Sequence, residues 1–169
     1  MNVSGVNTFN ACKVPAPMEL QNDFEDLCAS LNGRGVDYLI VGGYALAFHG
    51  APRYTGDIDV FVRPAPDNID RLLAALGDFG FRESPVRPED LLCQGKILEL
   101  GRPPVQVHIM ASISGVSWET AWQSRQPGTY GKASVYYLGR EAFLANKRAA
   151  GRAKDLADIE ALGESRNTD

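Results

Sequence analysis

The sequence predicts an α/β (α+β) fold, a mixed central sheet with helices packed on it. Three observations predict it. An apolar run, Tyr38-Leu39-Ile40-Val41, ends in the pair Gly42-Gly43. A second apolar run carries two carboxylates, Asp57-Ile58-Asp59-Val60-Phe61-Val62. Strand-like and helical segments alternate around these runs, with no internal repeat or low-complexity tract.

The elements follow in order. Residues 1–17 are small and polar, include Pro15 and Pro17, and read as a flexible N-terminal arm. Residues 18–165 read as a single domain, the expectation for a chain of 169 residues. Leu20, Phe24, Leu27 and Leu31 recur at helical spacing, so a helix is predicted over 18–31, ended by Asn32-Gly33. A strand over 37–41 and a short helix over 43–49 come next, broken by Gly50-Ala51-Pro52. A second strand covers 57–63. Asp67 is placed to cap a helix reaching Phe79 through Ile69, Leu72, Leu73 and Leu76. Two strands, 96–100 and 105–110, flank Gly101-Arg102-Pro103-Pro104. A short helix over 117–122, a strand over 133–138 and one long Ala-rich helix over 141–162 complete the chain.

Composition bounds the function. The chain is 44% hydrophobic, enough for a real core. Its net charge is −4, from 17 basic and 21 acidic side chains, which argues against a surface that coats nucleic acid generally. The three cysteines, Cys12, Cys28 and Cys93, are odd in number and far apart. They form neither a disulfide framework nor a metal cluster and fit a reducing cytoplasm. No apolar run is long enough for a membrane span, and no signal peptide is expected.

The two carboxylates carry the chemical argument. Residues i and i+2 of a strand share a face, so Asp57 and Asp59 project together while Ile58 and Val60 enter the core. Adjacent carboxylates repel and resist burial unless a cation sits between them. A hard divalent ion, Mg²⁺ first, takes oxygen ligands and keeps water for substrate phosphates. A lone Asp-x-Asp usually marks a turn or a solvated strand end, and a lone Gly-Gly a turn. Their order and spacing on two apolar strands is more specific.

That arrangement resembles the nucleotidyltransferase fold of the DNA polymerase β superfamily: a small-residue pair, a short helix, then Asp-hydrophobic-Asp. The resemblance implies that Gly42 and Gly43 admit the triphosphate to the backbone. It implies that Asp57 and Asp59 hold Mg²⁺, with Mn²⁺ as a substitute. A narrower resemblance runs through Gly43-x-Ala45-Leu46, Arg53-x-Thr55-x-Asp57-x-Asp59 and Lys147-x4-Arg152-x-Lys154-Asp155-x2-Asp158. These look like motifs of the AbiEii/MenT type, many of them toxins of toxin–antitoxin systems. The match implies a nucleotide-contacting or catalytic role for Lys147. It implies phosphate contacts from Arg53 and Arg152, and places Thr55 and Lys154 in the nucleotide site. The implied partners are a nucleoside triphosphate, an RNA or protein acceptor and a cognate antitoxin, with no membrane.

One departure stands out. The superfamily supplies a third carboxylate from a later strand, and the matching triplet here is Val107-His108-Ile109. His108 is a substituted base, or a mark of a non-catalytic relative, or a neutral hydrogen-bonding residue with the acid supplied elsewhere. Small-molecule nucleotidyltransferases that confer antibiotic resistance, and a regulatory protein that kept the fold, are the other classes. His49 reads as a loop or cap residue. Trp118 and Trp122 read as a helix face on the sheet. Glu89, Asp90 and Glu141 read as acids at helix starts.

Overall fold

A computed structural model describes residues 22–81, 86–102 and 105–165. The arm expected over 1–17 lies outside the described residues. The elements are α1 (Asn22–Gly33), β1 (Tyr38–Val41), α2 (Gly42–Phe48), β2 (Asp57–Val62), α3 (Pro66–Phe79), α4 (Pro88–Leu92) and β3 (Ile97–Arg102). They continue with β4 (Val105–Met110), α5 (Trp118–Gln123), β5 (Gln126–Tyr130), β6 (Ala133–Tyr137), α6 (Arg140–Ala150) and α7 (Ala153–Ala161). The strands form one mixed sheet in the order β3-β4-β2-β1-β6-β5. The predicted fold class is the observed one.

Every side chain of β1 is buried, as its continuous apolar run requires of a strand covered on both faces. On β2 the alternation is as read: Ile58, Val60 and Val62 are fully buried, while Asp57 and Asp59 are partly exposed. Phe61, on the aspartates' face, packs edge-on against Trp118 at 5.1 Å. Trp118 in turn stacks on Trp122, so the i,i+4 tryptophan pair is a helix face packed on the sheet. Phe24, Leu27 and Leu31 of α1 and Ile69, Leu72 and Leu76 of α3 bury their apolar stripes in the same core. Asn68, fully buried, staples α3 to the sheet by donating to the carbonyls of Asp37 and Arg63 and accepting from the Asp37 amide. That satisfies a buried polar group that would otherwise be costly.

Three expectations change. The helix over 141–162 is two helices: Gly151 ends α6 in the left-handed region (φ +66°) and Arg152 starts α7. Glycine at that position closes a helix readily, since no Cβ opposes the conformation. Asp67 is not a cap; Ala65 holds that position, and Asp67 pairs with Arg63 and Arg71 instead. The expectation also missed β5, whose Gln-Pro-Gly start gives no strand signal, whereas Glu89 and Asp90 do open a helix, the five-residue α4. Among the described residues no helix is long and apolar enough to cross a membrane.

Candidate functional site

Sheet register builds the site. β1 and β2 are antiparallel with Val41 opposite Asp59, so Asp59 lies beside the point where β1 turns directly into α2. Gly42 makes that turn at φ +65°, and a Cβ on it would overlap the Asp59 carboxylate. A Cβ on Gly43 would press on Thr55, whose nearest atoms lie 3.0–3.2 Å from that position. The glycine pair therefore serves the protein's own packing: one glycine admits Asp59, the other Thr55. Thr55 Oγ1 donates to the Asp57 carbonyl at 3.0 Å and fixes the approach to β2.

β4 runs parallel to β2 with His108 opposite Asp59, and the His108 ring lies in the same cleft. His108 Nδ1 is 3.0 Å from Asp59 Oδ1, while Nε2 is buried with no hydrogen-bond partner among the described residues. The Asp59 hydrogen bond raises the imidazole's pKa, against a smaller opposing effect of burial. Burial raises the Asp57 pKa, and the His108 charge partly offsets it.

The opposite wall of the cleft comes from α6, α7 and the loop before β2. The break at Gly151 turns the chain so that Lys147 Nζ meets Asp155 Oδ1 at 3.0 Å and Asp158 Oδ2 at 3.1 Å. Arg53 grips Asp158 with two bonds, 2.8 and 3.1 Å, and Arg152 bonds Asp155 at 2.7 Å. Asp155 is fully buried and Asp158 nearly so. Burial pushes both carboxyls up, but hydrogen bonds from Arg152 and Lys147 to Asp155, and from Arg53 and Lys147 to Asp158, win and leave both below the usual range. Three cations against two carboxylates leave this ion-paired network one positive charge in excess, before Lys154 is counted. Among the described residues Lys154, also on the wall, makes no hydrogen bond or ion pair.

The cleft encloses about 810 Å³ and brings together every residue singled out from the sequence: Gly42, Gly43, Arg53, Thr55, Asp57, Asp59, His108, Lys147, Arg152 and Lys154. Lys147, Arg152, Lys154, Asp155 and Asp158 of the last motif do not lie on one continuous helix, because it breaks at Gly151. The residues converge through the corner instead. Arg53 and Arg152, expected as open phosphate contacts, are already paired. Among the described residues no three His, Cys, Asp or Glu side chains form a ready metal cluster. His49 caps α2, its Nε2 2.7 Å from the Leu138 carbonyl oxygen.

Sequence reasoning missed Glu99. It lines the cleft from β3, directly opposite His108 in the antiparallel pair β3–β4. A signal was present. Arg102 pairs with Val105 across Pro103-Pro104, and counting three residues outward from each reaches Glu99 and His108.

No protein-family model matches the sequence, and no curated protein matches it. Several solved structures resemble its fold, among them the following two. A provisionally assigned nucleotidyltransferase from Thermotoga maritima aligns with a TM-score of 0.57 at 16% identity, over 82% of this chain and 89% of its own. An antigenic nucleotidyltransferase-like protein from Paracoccidioides brasiliensis aligns with a TM-score of 0.50 at 21% identity, over 82% of this chain and 72% of its own. With the mixed six-stranded sheet and the Asp57 and Asp59 strand at its centre, the chain has the nucleotidyltransferase fold.

Proposed function

We propose that the chain binds a nucleoside triphosphate together with Mg²⁺, or Mn²⁺ in its place, and transfers a nucleoside monophosphate to an acceptor on RNA or protein. The observation that carries this reading is the pair Asp57 and Asp59, side by side on one strand face and open to a cleft of nucleotide size. The donor set fits the ion. His108 turns its Nδ1 to Asp59, so the site offers two carboxylates, a set Mg²⁺ accepts when water and phosphate oxygens complete it. Bound there, the ion would neutralise charge on the α-phosphate and the leaving pyrophosphate.

The chain's own residues do the rest. Thr55 and Gly43 pin the loop that delivers Asp57. Asp155 and Asp158 hold Lys147 and Arg53 in the wall, so its positive excess is arranged before any phosphate arrives. Lys154, which makes no ion pair among the described residues, is a cation free to close on the triphosphate tail. The AbiEii/MenT-like motifs support a toxin–antitoxin setting, with a cognate antitoxin as partner; failure of any neighbouring gene product to relieve growth arrest on expression would argue against it.

Calorimetry with ATP, GTP, CTP and UTP in Mg²⁺ tests the central claim. Asp57→Asn with Asp59→Asn should abolish metal-dependent binding while the fold survives, because removing like-charge repulsion rarely unfolds a protein. Unchanged affinity in the double variant would remove the metal from the reading.

A further inference from the structure

The reaction proposed above needs a group that takes the acceptor's proton, and His108 is poorly placed to be that group. Its Nδ1 is committed to Asp59 and its Nε2 is buried, so neither nitrogen is offered to an acceptor standing in the cleft. Register supplies another candidate. Directly opposed residues of paired strands point to the same face. Asp59 on β2 opposes His108 on β4, and His108 opposes Glu99 on β3, so the three side chains form a row across three strands on the cleft face. Two strand spacings, roughly 10 Å, separate the Asp59 and Glu99 backbones. His108 stands between them with its ring turned to Asp59, and Glu99 lines the open cleft on the far side of it.

Glu99 has the properties such a group needs. It is exposed at the cleft, and among the described residues it makes no hydrogen bond or ion pair, so its oxygens are free. Its charge is nevertheless felt by His108 and Asp57, which places it within the same electrostatic site. Its strand is fixed by six paired positions from Ile97↔Met110 to Arg102↔Val105, so the carboxylate comes from a rigid element.

We propose that Glu99 is the third acid of this site, displaced by one strand from the position His108 occupies, and that it takes the acceptor's proton. The acceptor hydroxyl gives its proton to the Glu99 carboxylate. Its oxygen forms a bond to the α-phosphorus as the bond from that phosphorus to the bridging oxygen breaks. Pyrophosphate leaves with the electron pair, and Glu99 returns its proton to water. His108 then acts on Asp59, as a positioning residue. This assignment rests on the nucleotide reading above.

The test uses the full chain with α-³²P-labelled ATP, GTP, CTP and UTP in Mg²⁺, and with water, total RNA and the chain itself as acceptors. Triphosphate affinity is measured in parallel by calorimetry. Glu99→Gln should leave affinity within about twofold and lower the transfer rate by about 10²–10⁴, the usual share of a general base. Glu99→Asp, which keeps a carboxylate, should recover part of that loss. Because Glu99 is exposed, both variants should show the wild-type circular dichroism spectrum. A Glu99→Gln rate within threefold of wild type overturns the assignment and leaves Glu99 as a charge that guards an edge strand. Wild type that binds triphosphate but labels nothing also overturns it, leaving a binding protein. Wild type that binds no triphosphate overturns the nucleotide reading itself.

Discussion

Gly42 carries more constraint than a turn glycine. Its φ of +65° disfavours any side chain, and a Cβ would overlap Asp59. Gly42→Ala should therefore cost more than the ~1–2 kcal/mol of the left-handed backbone alone, because Asp59 must also move. A lowered Tm together with weakened Mg²⁺–triphosphate binding is the expected result, and a variant with wild-type Tm and affinity would contradict this geometry. Lys147 makes a second prediction at this scale. It is 5% exposed and bridges two buried carboxylates. Lys147→Met should destabilise by about 3 kcal/mol, the low end for breaking a buried pair, since Arg53 and Arg152 still hold the carboxylates. Denaturant titration reads it directly. A catalytic or nucleotide role for Lys147 must be separated from that structural loss before any rate is interpreted.

At the level of elements, the corner between α6 and α7 decides the site. A continuous helix would carry Asp155 and Asp158 past Lys147; the break folds them back onto it. Gly151 has open space around its missing Cβ, with only the Arg148 carbonyl oxygen at 3.6 Å, so Gly151→Ala should cost only the backbone strain, about 1 kcal/mol. Gly77 is the contrasting case. It lies inside α3 with nothing within 4 Å of a Cβ and no positive φ. Gly77→Ala should stabilise by about 0.5–1 kcal/mol, visible as a raised denaturation midpoint. Opposite signs for the two glycines are expected from one experiment, and equal signs would show that the corner is not set by Gly151.

Across the molecule, one ion network ties the loop before β2 to the C-terminal helices: Arg53, Asp158, Lys147, Asp155 and Arg152. Its acids titrate below their ordinary range in the folded protein. The unfolded chain therefore takes up protons first as the pH drops. The stability these acids confer is present above the ordinary carboxylate pKa of about 4 and is lost as the pH falls through their lowered folded values. Asp155→Asn should flatten the acid limb of a stability–pH curve between about pH 5 and 2, relative to wild type. An unchanged acid limb would show that the network does not govern acid stability.

The sequence by itself determined the fold class and the strand face shared by Asp57 and Asp59, and both follow from local rules; the places of Arg53, Thr55, Lys147, Arg152 and Lys154 in the cleft were implied only by the resemblance of their motifs. Alternation places i and i+2 together, a glycine pair after an apolar run forces a sharp turn, and apolar periodicity marks α1 and α3. Tertiary structure decided what those residues touch. Arg53 and Arg152 read as free guanidinium groups because Asp158 and Asp155 lie across a helix corner that Ala-rich periodicity does not reveal. The glycine pair read as an opening for phosphate because the strand register that brings Asp59 over Gly42 is a long-range pairing. Glu99 went unseen for a related reason: it meets His108 only when Arg102 pairs with Val105, a register that the expected turn over Gly101-Arg102-Pro103-Pro104 does not give. Local patterns fix which way a side chain points; only the pairing of distant segments fixes what it meets.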